Sequence, residues 1–523
     1  MAQTAIRNKS QTFSNDTIVL TDHVNFVNGD TQYLTDAMVG GNDTFFGAND
    51  INGANTGNYA RGDAEQMSGT AKGGADIFYG GTHSHNEFIG DAASMTDSTF
   101  GGADKMYGGT NGENFLTGDA TTMNMSAKGG ADYLAGGSSV ATIDNSGVSP
   151  VVVHGYAYNT MAGDASSMIG SSQGGQDTLV GGNVSGILDF NGNNTSSVVF
   201  NGMVGDALEM HAGAIGGIDS ITGGNATGQD AYAVNMMSGD AFDMGDNARA
   251  ANDTLVGGNA NSGTDGTLIT GGDPYSFLSG TSHGAAVINL MAGDTFTQDA
   301  GALVNFGSDT MYGGSGAAGT ESLVLNFMFG DVGDAYASSA LTAVKGGNDV
   351  MYGGLNQALN ILVGDAFALD AGGRGGFDTL TGGGAGTFNI LVGDAYTMAA
   401  GTVGGNDRLV SGAGQDIMFG DAINKADGSI GGADTFVFAS GNGSDQVLDF
   451  NITEGDKVNL SAFKTLNADF GSVSKLLHSD RLAVSGTDLI IDTDINGQTG
   501  NEITIVGGAH LVDPGASSAW LVI

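Results

Sequence analysis

"GGADKMYGGTNGENFLTGDA", residues 101–120, contains one short pattern twice. Asp104-Lys-Met-Tyr-Gly-Gly and Asn114-Phe-Leu-Thr-Gly-Asp each run from an oxygen-bearing side chain, past an apolar residue two places on, to glycine. One copy opens with Asp and the other with Asn. Both recur along the chain, and the reading of the fold turns on their register.

The first motif is Gly-Gly-x-Asp-x-Φ-x-Gly-Gly, with Φ apolar, or a close variant. Its aspartates are Asp16, Asp43, Asp76, Asp104, Asp132, Asp177, Asp219, Asp253, Asp309, Asp349, Asp378, Asp407 and Asp434. The residue two places on is apolar in all thirteen, from Ile18 and Phe45 to Leu409 and Phe436. A disordered glycine-rich linker has no reason to hold that register. The second motif, Asn-x-Φ-x-Gly-Asp, ends at Asp30, Asp63, Asp91, Asp119, Asp164, Asp206, Asp240, Asp294, Asp331, Asp365, Asp394 and Asp421. Five residues before each stands an asparagine, from Asn25 and Asn58 to Asn389, except that Asp416 takes the place once.

Ten of the twelve intervals from a Gly-Asp aspartate to the next Gly-Gly-x-Asp are 13 residues. In the other direction the interval varies from 14 to 41. The constant side is therefore packed, and the variable side is expected to be loop. Excursions such as "GNANSGTDGTLITGGDPYSFLSGTSHGAAV", residues 258–287, are expected to protrude along one edge. The constant stretch often begins Asp-Ala-x-x-Met, as at Met67, Met95, Met123, Met168, Met210, Met244 and Met398, with Leu34 and Leu369 in the same place. That third apolar row fits a third strand or a capped helical turn equally well.

One short strand cannot bury its apolar residue alone. Stacking coils about 4.8 Å apart turns each Φ position into an internal ladder. The expected fold is all-β: an elongated parallel β-solenoid or β-roll of about a dozen coils, the shortest 27 to 29 residues long. At that rise a dozen coils would make a rod about 60 Å long. Residues 1–15 are a short N-terminal segment, 16–434 the repeat array, and 435–523 a C-terminal β-rich cap.

Composition narrows the function. The 523 residues include 93 Gly, 3 Pro and no Cys, with a net charge of −42. Fifty of the 57 acids are Asp, which with glycine points to tight turns and hard-cation ligands. Such a chain repels nucleic acid and anionic membranes. It forms no disulfide. "MAQTAIRNKSQTFSNDTIVL" has no apolar core of a cleavable signal peptide. No run approaches 18 apolar residues, so no transmembrane segment is expected.

The strict form Gly-x-Gly-x-Asp-x-Φ appears at Gly412-Ala-Gly-Gln-Asp416-Ile-Met418 and Gly441-Asn-Gly-Ser-Asp445-Gln-Val447. The chain resembles the RTX (repeat-in-toxin, haemolysin-type) calcium-binding repeat proteins. Its tail, "GGADTFVFASGNGSDQVLDFNITEGDKVNLSAF" and then "SGTDLIIDTDINGQTGNEITIVGG", resembles RTX C-terminal regions. Most coils lack the second glycine of the strict motif, and near 28 residues they exceed two nonapeptides. The resemblance implies multiple Ca²⁺, type I secretion machinery as a partner through an uncleaved C-terminal signal, and folding outside the cell.

The chemistry agrees with that implication. Ca²⁺ takes six to eight oxygens, and stacked like charges repel unless a cation lies between them. Calcium is expected at the Gly-Gly-x-Asp row, at Asp416 and Asp445, and, with turn capping as the alternative, at Asp63, Asp91, Asp119, Asp164, Asp206, Asp240, Asp365, Asp394 and Asp421. About one to two dozen ions would follow. The Asn row is expected to form a neutral amide ladder, with calcium as its alternative.

The sequence contains neither His-Glu-x-x-His nor Gly-x-Ser-x-Gly, and its eight His are scattered. The expected function is a secreted structural protein, not an enzyme, that self-associates into a surface layer or extracellular matrix fibre. Cell-surface polysaccharide is a further expected partner. A monomeric RTX adhesin or ligand-binding protein is the alternative, ahead of an enzyme with its site on the 133–163 or 254–293 insertions.

Overall fold

The computed structural model describes residues 12–523 apart from 21–25, 51–55, 145–150, 188–195, 263–283, 300–301, 303, 321, 334–344, 496–499 and 514–515. Asn25 and the middle of the 258–287 excursion thus lie outside the described residues. Contacts divide the chain into two compact units. One comprises residues 1–288, 294–304 and 319–322; the other comprises 289–293, 305–318 and 323–523. Each is a parallel β-solenoid built from the rows described above.

In the first unit, three-residue strands such as Thr44–Phe46, Ile77–Tyr79, Lys105–Tyr107 and Tyr133–Ala135 pair in parallel, each with the strand one coil on. Their length follows from the glycines at both ends. Only the middle residue points inward, so Phe45, Phe78, Met106, Leu134, Leu179, Ile221 and Leu255 form one buried column. Phe45 and Phe78 stack with ring centroids 4.6 Å apart. The second row forms longer strands, among them Gly57–Arg61, His85–Ile89, Glu113–Thr117 and Tyr156–Ala162, again parallel and in register.

The third row is a strand and not a helical turn. Ala64–Met67, Ala92–Met95, Ala120–Met123 and Ala165–Ile169 pair in parallel. The Ala and the Met of each are both buried although they lie three residues apart, so these strands depart from strict alternation between them. The variable side departs from the loop expectation. Ser139–Val140, Val184–Gly186, Ala226–Gly228 and Ala260–Asn261 form a fourth parallel ladder. Val184, Ala226 and Ala260 are buried there, so the start of each insertion is drawn into the core.

The second unit repeats the plan. Thr310–Tyr312, Val350–Tyr352, Thr379–Thr381, Arg408–Val410, Thr435–Val437 and Lys457–Asn459 pair in sequence, and Leu521–Val522 joins the last of them. The parallel row Phe388–Val392, Gln415–Phe419, Ser444–Val447 and Glu502–Ile505 then changes character. Glu502–Ile505 pairs antiparallel with Asp488–Asp492, which pairs antiparallel with Leu482–Ser485. Trp520 is fully buried, edge-on to Phe450. No described helix is long and apolar enough to cross a membrane.

Candidate metal centre

Where a first-row strand begins, its aspartate turns inward and is almost wholly buried. From Asp43 to Asp434, every aspartate of the row is at most 3 % exposed. Asp16, in the terminal coil, is exposed. Each carboxylate uses one oxygen in the same way. The Asp16 N–H donates to Oδ1 of Asp43 at 2.6 Å, Asp76 to Asp104 at 2.6 Å, Asp104 to Asp132 at 2.7 Å and Asp132 to Asp177 at 2.7 Å. The pattern continues through Asp219 and Asp253, and in the second unit from Asp309 through Asp349, Asp378 and Asp407 to Asp434.

The other oxygen has no such donor. Oδ2 is buried without a hydrogen-bond partner in Asp43, Asp76, Asp104, Asp132, Asp177, Asp219, Asp349, Asp378, Asp407 and Asp434. Its neighbour is the glycine of a Gly-Asp turn. A β-carbon on Gly90 would collide with Oδ2 of Asp104 and with the carbonyl oxygen of Gly118. Gly62 stands likewise against Asp76 and the carbonyl of Gly90, and Gly118 against Asp132 and that of Gly163. Glycine is required here because a carboxylate oxygen and a carbonyl oxygen converge on the same backbone.

The second row reaches the same corner. Asp91 accepts the Gly102 N–H, 11 residues on, at 2.9 Å, and Asp119 accepts that of Gly130 at 2.9 Å. Asp63, Asp164, Asp206, Asp365, Asp394 and Asp421 do the same for Gly74, Gly175, Gly217, Gly376, Gly405 and Gly432, and Asp240 for Ala251. These aspartates therefore cap the turn that leads to the next first-row aspartate. Capping does not use them up: Oδ1 of Asp63 and Oδ2 of Asp206, Asp365 and Asp394 are buried without a partner. The constant 13-residue interval is what brings the rows together. Carboxylate oxygens of Asp91, Asp104 and Asp119 all lie within 4.8 Å of one another, and all three residues are buried.

Such a site resists negative charge. Burial first, then neighbouring carboxylates, pushes Asp104, Asp119, Asp177, Asp206, Asp365 and Asp407 well above the usual carboxylate range. Burial likewise pushes Asp76 up to about 9 and Asp434 to about 10. Asp240 rises only to about 7 and Asp164 to about 6, because hydrogen bonds offset part of the burial. Each corner must hold protons or a cation. An all-oxygen donor set of carboxylates beside glycine carbonyls fits a hard cation such as Ca²⁺.

The Asn row is self-contained. Nδ2 of Asn58 donates to Oδ1 of Asn86 at 2.8 Å, Asn86 to Asn114 at 2.8 Å, Asn114 to Asn159 at 2.8 Å and Asn159 to Asn201 at 2.7 Å. Each also closes a ring with a backbone, as Asn114 does with the Gly109 N–H and carbonyl, and Asn58 with those of Ala48. In the second unit the ladder passes from Asn326 to Asn360 to Asn389 and ends on Oδ1 of Asp416 at 2.6 Å. Oδ2 of Asp416 accepts Ser411 Oγ and the Gly412 N–H. Asp445 accepts the Asp416 N–H on Oδ1 and Asn442 Nδ2 on Oδ2. Both oxygens of both residues therefore have donors, unlike those of Asp104.

Several participating residues escaped the motifs. Asp456 continues the first row by accepting the Asp434 N–H at 2.9 Å. Asp449 takes the place after Asp421, accepting the N–H groups of Gly420 and Asp421 at 2.7 and 2.9 Å. Asn183, Asn225 and Asn259 form a second asparagine ladder from side chain to backbone, at 2.8 Å per step. No family model, no curated protein and no solved structure matches the chain.

Proposed function

We propose that this chain is a secreted calcium-binding structural protein, which folds as Ca²⁺ enters its aspartate corners and then self-associates into a surface layer or matrix fibre. The observation that carries the calcium reading is the column of ten buried Oδ2 atoms without a donor, nine of them beside a glycine carbonyl oxygen. Leaving a buried carboxylate oxygen unpaired costs about 1–3 kcal/mol or more, and a cation would relieve that cost in all ten residues without protonating them. The first-row aspartates, with Asp91, Asp119 and their equivalents, would hold the ions.

Self-association is supported by an exposed aromatic stripe on the outer side of the first row: Phe46, Tyr79, Tyr312 and Tyr352 are 39–41 % exposed, and Phe46 stacks on Tyr79 and Tyr312 on Tyr352 with centroids 5.2 and 5.1 Å apart. Exposed apolar side chains in a row offer a surface to another chain. Export by a type I route rests on the RTX resemblance.

The test is light scattering with circular dichroism on chelated protein, before and after millimolar Ca²⁺. The expected result is gain of β-structure followed by large assemblies. A folded monomer in Ca²⁺ would refute self-association and favour a monomeric binding module. A fold indifferent to chelator at pH 7 would refute the calcium reading.

A further inference from the structure

The third-row register aligns Leu369 with Met398 and Met398 with Lys425. A lysine thus stands where most described coils place Met or Leu, Gln298 being the other exception. It does not point to solvent. Its Nζ lies 2.8 Å from Oδ2 of Asp421 and 2.7 Å from Oε1 of Glu454. The same Oε1 accepts the Gly431 N–H at 2.9 Å.

The position of that ammonium can be read against the other coils. A β-carbon on Gly73 would strike Oδ1 of Asp91; on Gly101, Oδ1 of Asp119; on Gly129, Oδ1 of Asp164. In each case the first glycine of a Gly-Gly pair abuts the second-row carboxylate that follows it. At Gly431 the same β-carbon would strike Oδ2 of Asp421 and Nζ of Lys425. The ammonium occupies the place where the next carboxylate of the ladder would arrive. Asp449 brings a third carboxylate to this end, bound to the Gly420 and Asp421 N–H groups.

We infer that Asp421, Asp449 and Glu454 form a cation site that the chain fills with its own Lys425 ammonium, so that the metal-binding ladder of the second row ends there. This rests on the calcium reading above, and it removes Asp421 from the expected metal ligands. A tethered ammonium supplies one positive charge and three donors to carboxylates that would otherwise need a metal.

The experiment counts Ca²⁺ per chain by elemental analysis after gel filtration in millimolar Ca²⁺, for the full-length protein and for K425M and K425R. Methionine is the residue this register carries one coil earlier, at Met398. K425M should bind one more Ca²⁺ than the wild type, and K425R the same number. A K425M count equal to a non-zero wild-type count overturns the inference and leaves the calcium reading standing. No Ca²⁺ on any of the three overturns both. Emission from Trp520, buried in the same unit, reports folding. K425M that keeps a solvent-exposed Trp520 signature even in Ca²⁺ also overturns the inference, because no metal then replaces the ammonium.

Discussion

Replacing Asp76 by asparagine should move stability in opposite directions with and without Ca²⁺. Oδ1 of Asp76 accepts the Asp43 N–H at 2.5 Å, and an asparagine oxygen keeps that bond. Oδ2 is buried without a donor, at Gly62 beside the carbonyl oxygen of Gly90. Asparagine would place an N–H donor there. Burial, with the carboxylates of Asp91, Asp43 and Asp30 adding to it, pushes Asp76 from 3.8 to about 9. A carboxyl raised on folding contributes its full stability below 3.8 and loses it as pH rises towards 9. At pH 7 the metal-free folded chain holds a proton that the unfolded chain has released. That gap of about three pH units, at about 1.4 kcal/mol each, sets about 4 kcal/mol against the fold. Asp76→Asn should therefore stabilise metal-free protein by up to about 4 kcal/mol at pH 7 and by close to nothing at pH 4. In millimolar Ca²⁺ it should destabilise, because a ligand is gone. Urea denaturation followed by far-ultraviolet circular dichroism measures all three. A variant that is less stable than the wild type by the same amount in every condition would refute the reasoning and make Asp76 a backbone cap only.

Ca²⁺ entering a chain that is already folded should release protons at pH 7, because burial and neighbouring carboxylates raise Asp76 and Asp434 to about 9 and 10 there; a pH-stat titration of protein first shown by circular dichroism to be folded without metal, giving no acid release, would contradict this. Asn114→Asp should cost about 3 kcal/mol or more at pH 7 and less at pH 4, since it sets a carboxylate oxygen against Asn159 Oδ1 and the Gly109 carbonyl; a melting temperature unchanged at pH 7 would sink the ladder argument. Gly90→Ala should block folding of its coil, whereas Gly202→Ala should be tolerated, because the nearest atom to a β-carbon at Gly202 is 3.5 Å away; equal effects on thermal unfolding would refute the converging-oxygen geometry.

The rows were legible because glycine bounds each strand and leaves one inward position, so a three-residue unit carries its own register. The third row was ambiguous for a physical reason. Asp63-Ala-Glu-Gln-Met67 puts its apolar residues three apart, which misses the alternation of a strand and suits the opening of a capped turn. The capping bond decides it, and it is not local: Asp63 accepts the N–H of Gly74, not one in its own first turn. The fourth ladder did have a signal. Gly-Gly-Asn-Val at 181–184, Gly-Gly-Asn-Ala at 223–226 and Gly-Gly-Asn-Ala at 257–260 repeat at the start of successive insertions. Lys425, Asp449 and Glu454 carried none, because each belongs to a single coil and a repeat search finds only what recurs.

The contrast between Asp104 and Asn114 comes down to donors. An amide has one acceptor and two N–H donors, so each asparagine receives from one coil and gives to the next while closing a ring with its own glycine turn. Such a ladder needs nothing from outside. An ionised carboxylate has acceptors only; it can take one backbone N–H, and then its second oxygen faces another acceptor. The chain uses this limit where the asparagine ladder stops: Asp416 accepts from Asn389 and has no amide donor to pass on. Its backbone N–H goes instead to Asp445 Oδ1, the bonding pattern of the first row. The asparagine column supplies its own hydrogen bonds from coil to coil. On the calcium reading proposed above, the aspartate columns would favour stacking at neutral pH only with a cation between their carboxylates, so that one sequence would set its register through amides and tie its stability to calcium.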